Sequence, residues 1–325
     1  MWSELQQALT SKQTFAITTH VSPDGDALGA QLVLREYLQA LGKTVHVVNA
    51  NPVPPRYAFL DPDAAFLSDS PAARRMIEAA DATIFADAAS WSQLGSLEEV
   101  IRPTPSFRIA IDHHPAGDLQ ADLVIRRIEA SATCEILYDF LRAVEFPIEG
   151  HVATALFVGV ATDTGWFRYA NATPKVFEIA SALCGSGAPC SKIYHLIYEQ
   201  DPPDRLRLLG KALSTISSDC DGRIVYFYIT HDMFQELGVD DSYTESFISF
   251  ARLVRGGKLV ILFKETQPGT VRVSFRSRGD IDVRALAREL GGGGHHNASG
   301  ATAHGDLQAV VQDVLSRARR ILHRD

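Results

Sequence analysis

Four short apolar runs in this chain each stop at carboxylates or imidazoles. Phe107-Arg108-Ile109-Ala110-Ile111 ends at Asp112-His113-His114. Thr14-Phe15-Ala16-Ile17-Thr18-Thr19 leads into His20, Asp24 and Asp26. Ala82-Thr83-Ile84-Phe85-Ala86 leads into Asp87, and the run from Ala153 to Val160 leads through Ala161 and Thr162 into Asp163. A β-prone run that ends this way reads as a buried strand delivering polar groups at its C-terminal end. In open α/β sheets that edge is where ligands bind. The runs therefore predict carboxylates and imidazoles collected at one rim of one sheet. That donor set suits hard or borderline divalent cations, and more than one of them.

The segments between these runs carry helix patterns. Leu28, Leu32, Leu34, Leu38 and Leu41 space a helix over 26–41, which Gly42 stops. A strand over 44–48, a helix near 71–79, and helices over 131–143 and 150–161 follow. Helical stretches at 174–184, 190–198 and 203–216 come after Asp163. Such βαβ alternation predicts an α/β domain with a mostly parallel sheet and helices on both faces. From Asp221-Gly222 the pattern changes to strands at 223–229, 258–264 and 270–276, with helices near 244–254, 282–289 and 306–322. The expected division is a first domain over 1–188, linker helices over 189–219 and a smaller C-terminal α+β domain over 220–325. A chain of 325 residues exceeds the usual single-domain size, which agrees with two.

A net charge of −8 leaves no global basic field to attract long nucleic acid. The four cysteines Cys134, Cys184, Cys190 and Cys220 lack C-x-x-C spacing. They are expected to be four reduced thiols, neither a disulfide framework nor a zinc site. No basic stretch followed by an apolar core opens the sequence, and no apolar run approaches a membrane span. A cytoplasmic location without membrane contact is the expectation.

Asp24 and Asp26 can face two neighbouring sites from one tight turn that Gly25 lets close. The same Asp-Gly-Asp could serve only as a cap and turn. The combination is more specific than any member, because each instance ends a separate apolar run. Gly291-Gly292-Gly293-Gly294 lets backbone approach a ligand and exposes N–H groups to phosphate or carboxylate. The alternative is a flexible loop. Arg276, Ser277 and Arg278 end a strand and bring cations. Arg168, in Asp163-Thr164-Gly165-Trp166-Phe167-Arg168, lies close to a presumed ligand and could reach a phosphate, or pair with an acid at the surface. His46, His151, His195, His231, His304 and His323 stand alone and read as structural. Trp2, Trp91 and Trp166 read as packing residues.

Taken in order, His20/Asp24/Asp26, Asp87, Asp112-His113-His114 and Asp163 resemble the four motifs of the DHH phosphoesterase superfamily. Gly291 to Gly300, with His295-His296 inside, resembles the signature of its DHH-associated C-terminal domain. The two-domain form is similar to bacterial oligoribonucleases (nanoRNases) and phosphatases of 3′-phosphoadenosine 5′-phosphate (pAp). The resemblance covers nearly the whole chain and implies two Mn²⁺ ions, with Mg²⁺ or Co²⁺ as substitutes. His20, Asp24 and Asp87 would hold the first. Asp26, Asp87, His113 and Asp163 would hold the second, with Asp87 as the bridge. His114 would contact the scissile phosphoryl oxygen, and Asp112 would orient a ligand imidazole. Arg276, Ser277 and His295, with Gly293 and Gly294 of the glycine run, would hold the far end of the substrate. The second histidine, His296, carries less weight.

The activity implied is hydrolysis of very short single-stranded RNA to nucleoside 5′-monophosphates, with dephosphorylation of pAp beside it and the active site in the cleft between the domains. Linear dinucleotides such as pGpG and pApA are the alternative substrates. An inorganic pyrophosphatase is disfavoured by the glycine-rich motif, and a long-DNA exonuclease by the short, acidic chain. A non-catalytic nucleotide-binding protein predicts a broken ligand position, and none is broken. The resemblance also implies a homodimer.

Overall fold

The computed structural model describes residues 1–115 and 117–322. His323, expected to be structural, lies outside the described residues. The chain divides into two compact units, Met1–Gln200 and Asp201–Asp325.

The first unit runs α1 (Trp2–Ser11), β1 (Thr14–Thr18), α2 (Gly25–Ala40), β2 (Thr44–Asn49), β3 (Phe66–Ser68), α3 (Pro71–Glu78), β4 (Ala82–Ala86), α4 (Glu98–Ile101), β5 (Phe107–Asp112), β6 (Leu123–Arg126), α5 (Thr133–Ala143), α6 (Gly150–Asp163), α7 (Pro174–Gly185) and α8 (Cys190–Tyr198). Its sheet has the order β3-β2-β1-β4-β5-β6, and every pairing is parallel. Alternation along each strand splits the core into two layers. Phe15, Ile17, Ile84, Ile109 and Ile111 pack with α2, α5 and α6. Ala16, Phe85 and Ala110 face the other way, onto Ile77, Trp91, Leu94, Leu97 and Ile101. Helices on both faces explain why these strands read as nearly continuous apolar runs. Strand order reverses between β1 and β4, the switch point where such sheets bind ligands.

The fourth apolar run is the helix expected over 150–161. It forms α6, with Val152, Ala153, Ala155 to Val158 and Val160 buried. A helix apolar all round has no amphipathic period, so a short apolar stretch reads alike in either conformation. Gly25 also has another role than closing a turn. It starts α2, and a Cβ there would meet Thr162 Oγ1 at 2.5 Å, so its lack of a side chain lets α2 and α6 touch. One expectation about the cysteines is overturned. Cys184 near the end of α7 and Cys190 at the start of α8 form a disulfide, with Cα atoms 6.5 Å apart, because the turn over 186–189 folds the two helix ends together. Their separation of six residues matches no familiar cysteine motif. Cys134 and Cys220 remain free thiols. Trp2 packs on Phe140, Trp91 on Phe85 and Trp166 on Phe157, as packing residues do.

The second unit contains α9 (Pro203–Ser214), β7 (Ser217–Asp219), β8 (Ile224–Ile229), α10 (His231–Leu237), α11 (Phe247–Ala251), β9 (Leu259–Gln267), β10 (Thr270–Ser277), α12 (Val283–Glu289), β11 (Gly293–His295), β12 (Ala298–His304) and α13 (Leu307–Leu322). The sheet order is β11-β12-β10-β9-β8-β7, antiparallel except for β8 beside β9. Helices α12 and α13 cover Ile261, Phe263, Val273 and Phe275, while α9, α10 and α11 cover Phe227, Ile229 and Leu262 on the opposite face. This is the expected α/β class with a second α+β unit. Among the described residues no helix is long and apolar enough to cross a membrane.

Candidate metal centre

The predicted ligands arrive at the same rim from several elements. The loop after β1 carries His20, Asp24 caps α2, and Asp26 lies in its first turn. Asp87 follows β4 with φ at 59°, a left-handed conformation that aspartate tolerates better than most residues, and its N–H is tied to Ile111 O. Asp112 ends β5, followed by His113 and His114, and Asp163 is the last residue of α6. Three groups of potential ligand atoms result, each within 4.8 Å: His20, Asp24 and Asp87; Asp26, His113 and Asp163; and Asp87, His113 and His114.

Asp87 faces two ways. Its Oδ2 lies 3.5 Å from His20 Nε2, and its Oδ1 lies 3.5 Å from His113 Nε2. The second group closes with His113 Nε2 at 3.5 Å from Asp163 Oδ2. The imidazole tautomers follow from what surrounds them. His20 Nδ1 donates to Val21 O at 2.9 Å and His113 Nδ1 to Ala130 O at 3.2 Å, since a carbonyl only accepts. Nε2 is then the ligating nitrogen of both rings. His113 Nε2 is buried and has no hydrogen-bond partner. A buried imidazole nitrogen left unsatisfied among carboxylates is chemically incomplete, and a cation completes it. The donors are oxygens and imidazole nitrogens without thiolate, so the residues fit a hard or borderline divalent ion.

Electrostatics say the same. Burial opposes the His20 imidazolium, but hydrogen bonds to Asp24 and Asp87 outweigh it and push the ring up to about 11. Burial, then the charges of Asp87, Asp163 and Asp24, raise Asp26 well above the usual carboxylate range. Burial lifts Asp163 to about 6, His113 opposing and Asp87 assisting. Asp24 stays low despite burial, because the neighbouring His20 imidazolium favours the carboxylate. Carboxylates crowded in this way hold protons that a cation would displace.

Asp112 orients an imidazole, that of His114. Its Oδ1 accepts from His114 N at 3.1 Å and His114 Nδ1 at 2.9 Å, and its Oδ2 from Arg126 Nε at 3.3 Å. The ring it orients is therefore His114, whose pKa that hydrogen bond raises. The reason is local: residue i+2 folds back onto an aspartate at a strand end, whereas His113 reaches Ala130 instead. Arg168 turns its Nε onto Gly165 O at 2.7 Å, behind a turn in which Gly165, Trp166 and Phe167 all have positive φ.

Sequence reasoning missed the segment Ala130 to Cys134. Thr133 Oγ1 donates to Asp87 Oδ1 at 2.9 Å, Thr133 N to Asp26 Oδ2 at 2.6 Å and Cys134 N to Asp26 Oδ1 at 2.9 Å. Asn171 Nδ2 joins Ser131 O to Asp163 O at 3.2 Å each. Buried Glu135 receives Ser131 N and Oγ and pairs with Lys175. The available signal was a pair of hydroxyl residues before a helix, which ordinarily reads as capping.

In the second unit, Arg276 is half-buried on β10 and donates to Phe275 O at 3.0 Å. Burial and then Arg252 lower its pKa. Among the described residues of this unit no carboxylate pairs with it, whereas Arg272 and Lys264 both pair with Asp241. Ser277 is buried, with its hydroxyl donated to Ile281 O at 2.7 Å and accepting from Asn297 Nδ2 at 3.0 Å. The glycine run is not a free loop. The N–H groups of Gly291 and Gly292 close α12 onto Arg288 O and Ala287 O, and Gly293 and Gly294 belong to β11. Gly294, at φ 137°, leaves no room for a Cβ, which would meet Ala298 O at 2.6 Å. His295 ends β11 in an exposed position.

Comparison with known proteins accords with this architecture. The N-terminal domain of the DHH family matches residues 14–160, and the DHHA1 domain matches residues 210–324. The chain is 33% identical over 309 residues to the bifunctional oligoribonuclease and PAP phosphatase NrnA of Thermus thermophilus, covering 95% of this chain and 90% of that protein. It is 27% identical to the Bacillus subtilis protein of the same description, covering 94% of each. An exopolyphosphatase-related protein from Bacteroides fragilis superposes with a TM-score of 0.89 at 25% identity, over 98% of this chain and 94% of that one. The chain belongs to the DHH family, with a DHHA1 domain as its second part.

Proposed function

We propose that this chain is a Mn²⁺-dependent phosphoesterase. In this reading it hydrolyses very short RNA to nucleoside 5′-monophosphates and converts pAp to AMP in the cytoplasm. The observation that carries the reading is Asp87, whose two oxygens each stand 3.5 Å from a ligand histidine of a different group. That is the arrangement of a carboxylate bridging two cations. His20, Asp24 and Asp87 would hold one ion, and Asp26, Asp87, His113 and Asp163 the other. The ions supply Lewis acidity at phosphorus and acidify water at the site. His114, whose pKa the hydrogen bond to Asp112 raises, would contact a phosphoryl oxygen. Arg168 contributes a further cation nearby. Arg276, His295, Gly293 and Gly294 hold the part of the substrate that does not react, and Ser277 supports that surface through Ile281 and Asn297. The names of the relatives from Thermus thermophilus and Bacillus subtilis agree with both activities.

A panel of pAp, pGpG, a five-nucleotide RNA and pyrophosphate, each assayed with Mn²⁺, tests the reading. Turnover of pAp and the RNA is expected, and Asp87→Ala should abolish it while the protein stays folded. Pyrophosphate as the one good substrate, or an Asp87→Ala enzyme keeping about a tenth of its rate, would remove the proposal.

A further inference from the structure

We infer that Thr133 is a positioning residue which sets the bridging orientation of Asp87, and that it acts through a single hydroxyl proton. The inference rests on reading the cluster as a two-cation centre and concerns how this chain's own side chains prepare it.

Thr133 is fully buried at the first position of α5. Its one hydroxyl proton goes to Asp87 Oδ1 at 2.9 Å. That oxygen also stands 3.5 Å from His113 Nε2, whereas Oδ2 stands 3.5 Å from His20 Nε2. The last torsion of an aspartate is soft and roughly two-fold, so the carboxylate does not hold its own rotation. Without a fixed donor it could swing and offer both oxygens to one cation, leaving the other short of a ligand. The Thr133 proton takes one lone pair of Oδ1 and fixes the plane of the group. One lone pair of Oδ1 then remains for the cation near His113, and both of Oδ2 remain for the cation near His20.

The same residue reaches a second ligand. Its backbone N–H meets Asp26 Oδ2 at 2.6 Å, and the next N–H, from Cys134, meets Asp26 Oδ1 at 2.9 Å. These two amides lie at the positive end of α5, which favours a carboxylate there. Thr133 thereby ties an aspartate delivered by β4 to one delivered by α2. The segment is itself braced: Glu135 accepts from Ser131 N and Oγ at 2.9 and 2.8 Å, and Lys175 lies 3.2 Å from Glu135. Ala130, just before it, accepts from His113 Nδ1. A threonine serves here because its backbone amide and its hydroxyl diverge towards two different carboxylates.

Thr133→Val separates the two functions, keeping the amide on Asp26 and the β-branched shape while removing the proton on Asp87. Thr133→Ser restores the hydroxyl without the methyl, and Thr133→Ala removes the hydroxyl without steric demand should the valine not fold. Mn²⁺ is titrated into each metal-free protein, with free ion read by electron paramagnetic resonance and heat by calorimetry. The wild type and Thr133→Ser should bind two ions alike. Thr133→Val and Thr133→Ala should bind at least one of them about 10–100-fold more weakly, the usual loss when a group that orients a metal ligand is removed. A purely structural threonine would lower the melting temperature of the metal-free protein and leave the two binding constants unchanged, and that result overturns the inference. Equal weakening in Thr133→Ser overturns it too, because the proton would then not be what matters. A wild type that binds no cation overturns this inference together with the metal-centre reading, whereas unaltered binding in Thr133→Val overturns this inference alone.

Discussion

Asp112 holds His114 by two bonds to one oxygen, from the backbone N–H at 3.1 Å and from ring Nδ1 at 2.9 Å. The imidazole is thereby fixed in orientation, and its pKa rises because the hydrogen bond and charge of Asp112 favour the imidazolium. Nε2 is left as the free ring nitrogen. Asp112→Asn keeps the shape and removes the charge. We expect kcat to fall about 100-fold with KM little changed, the scale of one general acid. The His114 pKa, followed by NMR in metal-free protein, should drop towards the ordinary imidazole value. An unchanged His114 titration would refute the link.

The second prediction concerns pH. Asp163 is raised to about 6, so the folded metal-free protein keeps a proton that the unfolded chain loses near pH 4. Its contribution to stability is full below the unfolded pKa and is lost as pH rises through about 6. His20, raised to about 11, contributes stability that is full below the unfolded pKa and is lost as pH rises through about 11. Both groups must shed protons to bind a cation. Mn²⁺ affinity should therefore climb as pH rises through about 6, and binding at pH about 7.5 should release at least about one proton, chiefly from His20. Calorimetry in buffers of different ionisation enthalpy measures that release. Binding without proton release would contradict the assignment of His20.

Gly159 tests the packing behind Asp26. A Cβ there would meet Cys134 Sγ at 2.3 Å and Asp26 Oδ1 at 2.7 Å. Helix propensity alone would reward alanine by about 1 kcal/mol. Overpacking against two buried groups held by hydrogen bonds costs about 1–3 kcal/mol and should win. Gly159→Ala should melt several degrees lower and bind Mn²⁺ more weakly, since Asp26 must move. A higher melting temperature would mean that propensity had prevailed.

The division of labour can be separated by substrate size. If Arg276 and His295 grip nucleotide and touch no cation, their alanine variants should lose at least about tenfold in kcat/KM on short RNA, about 1.4 kcal/mol of lost transition-state binding. On bis(p-nitrophenyl) phosphate, whose second half offers nothing to hold, the loss should be small, and bound manganese should not change. Equal losses on both substrates would place these residues in the chemistry.

Much of the first unit was legible because its strands are buried on both faces and end abruptly at ionisable residues. Phe107 to Asp112 is the clearest case, an apolar run whose last residue already holds His114 at the rim. The run ahead of Asp163 gave both the residue and the helix over 150–161, although a helix buried on nearly every side has little polar face to announce it. Short β3 and β6 left no signal because three or four residues do not establish a period. The glycine run reads as backbone open to a ligand, and in the fold its close neighbours are β12 and the end of α12. The disulfide escaped because a turn between two helices brings Cys184 and Cys190 together, and composition does not reveal turns. Thr133 escaped because a hydroxyl at a helix start ordinarily serves its own backbone, and only the fold brings Asp87 within its reach.

The switch between β1 and β4 has a kinetic consequence. Phe15 must lie beside Ala82 before the crevice exists, with α2, β2, β3 and α3 closed off as a loop between them. Pairing of that kind is distant in sequence and slow to form. Asp26, Asp87, His113 and Asp163, delivered by α2, β4, β5 and α6, come together only once that pairing exists. A cation held there would stabilise the native state, in which these side chains are assembled, over states in which they are not. Such a cation would lengthen the lifetime of the folded protein more than it would speed its formation.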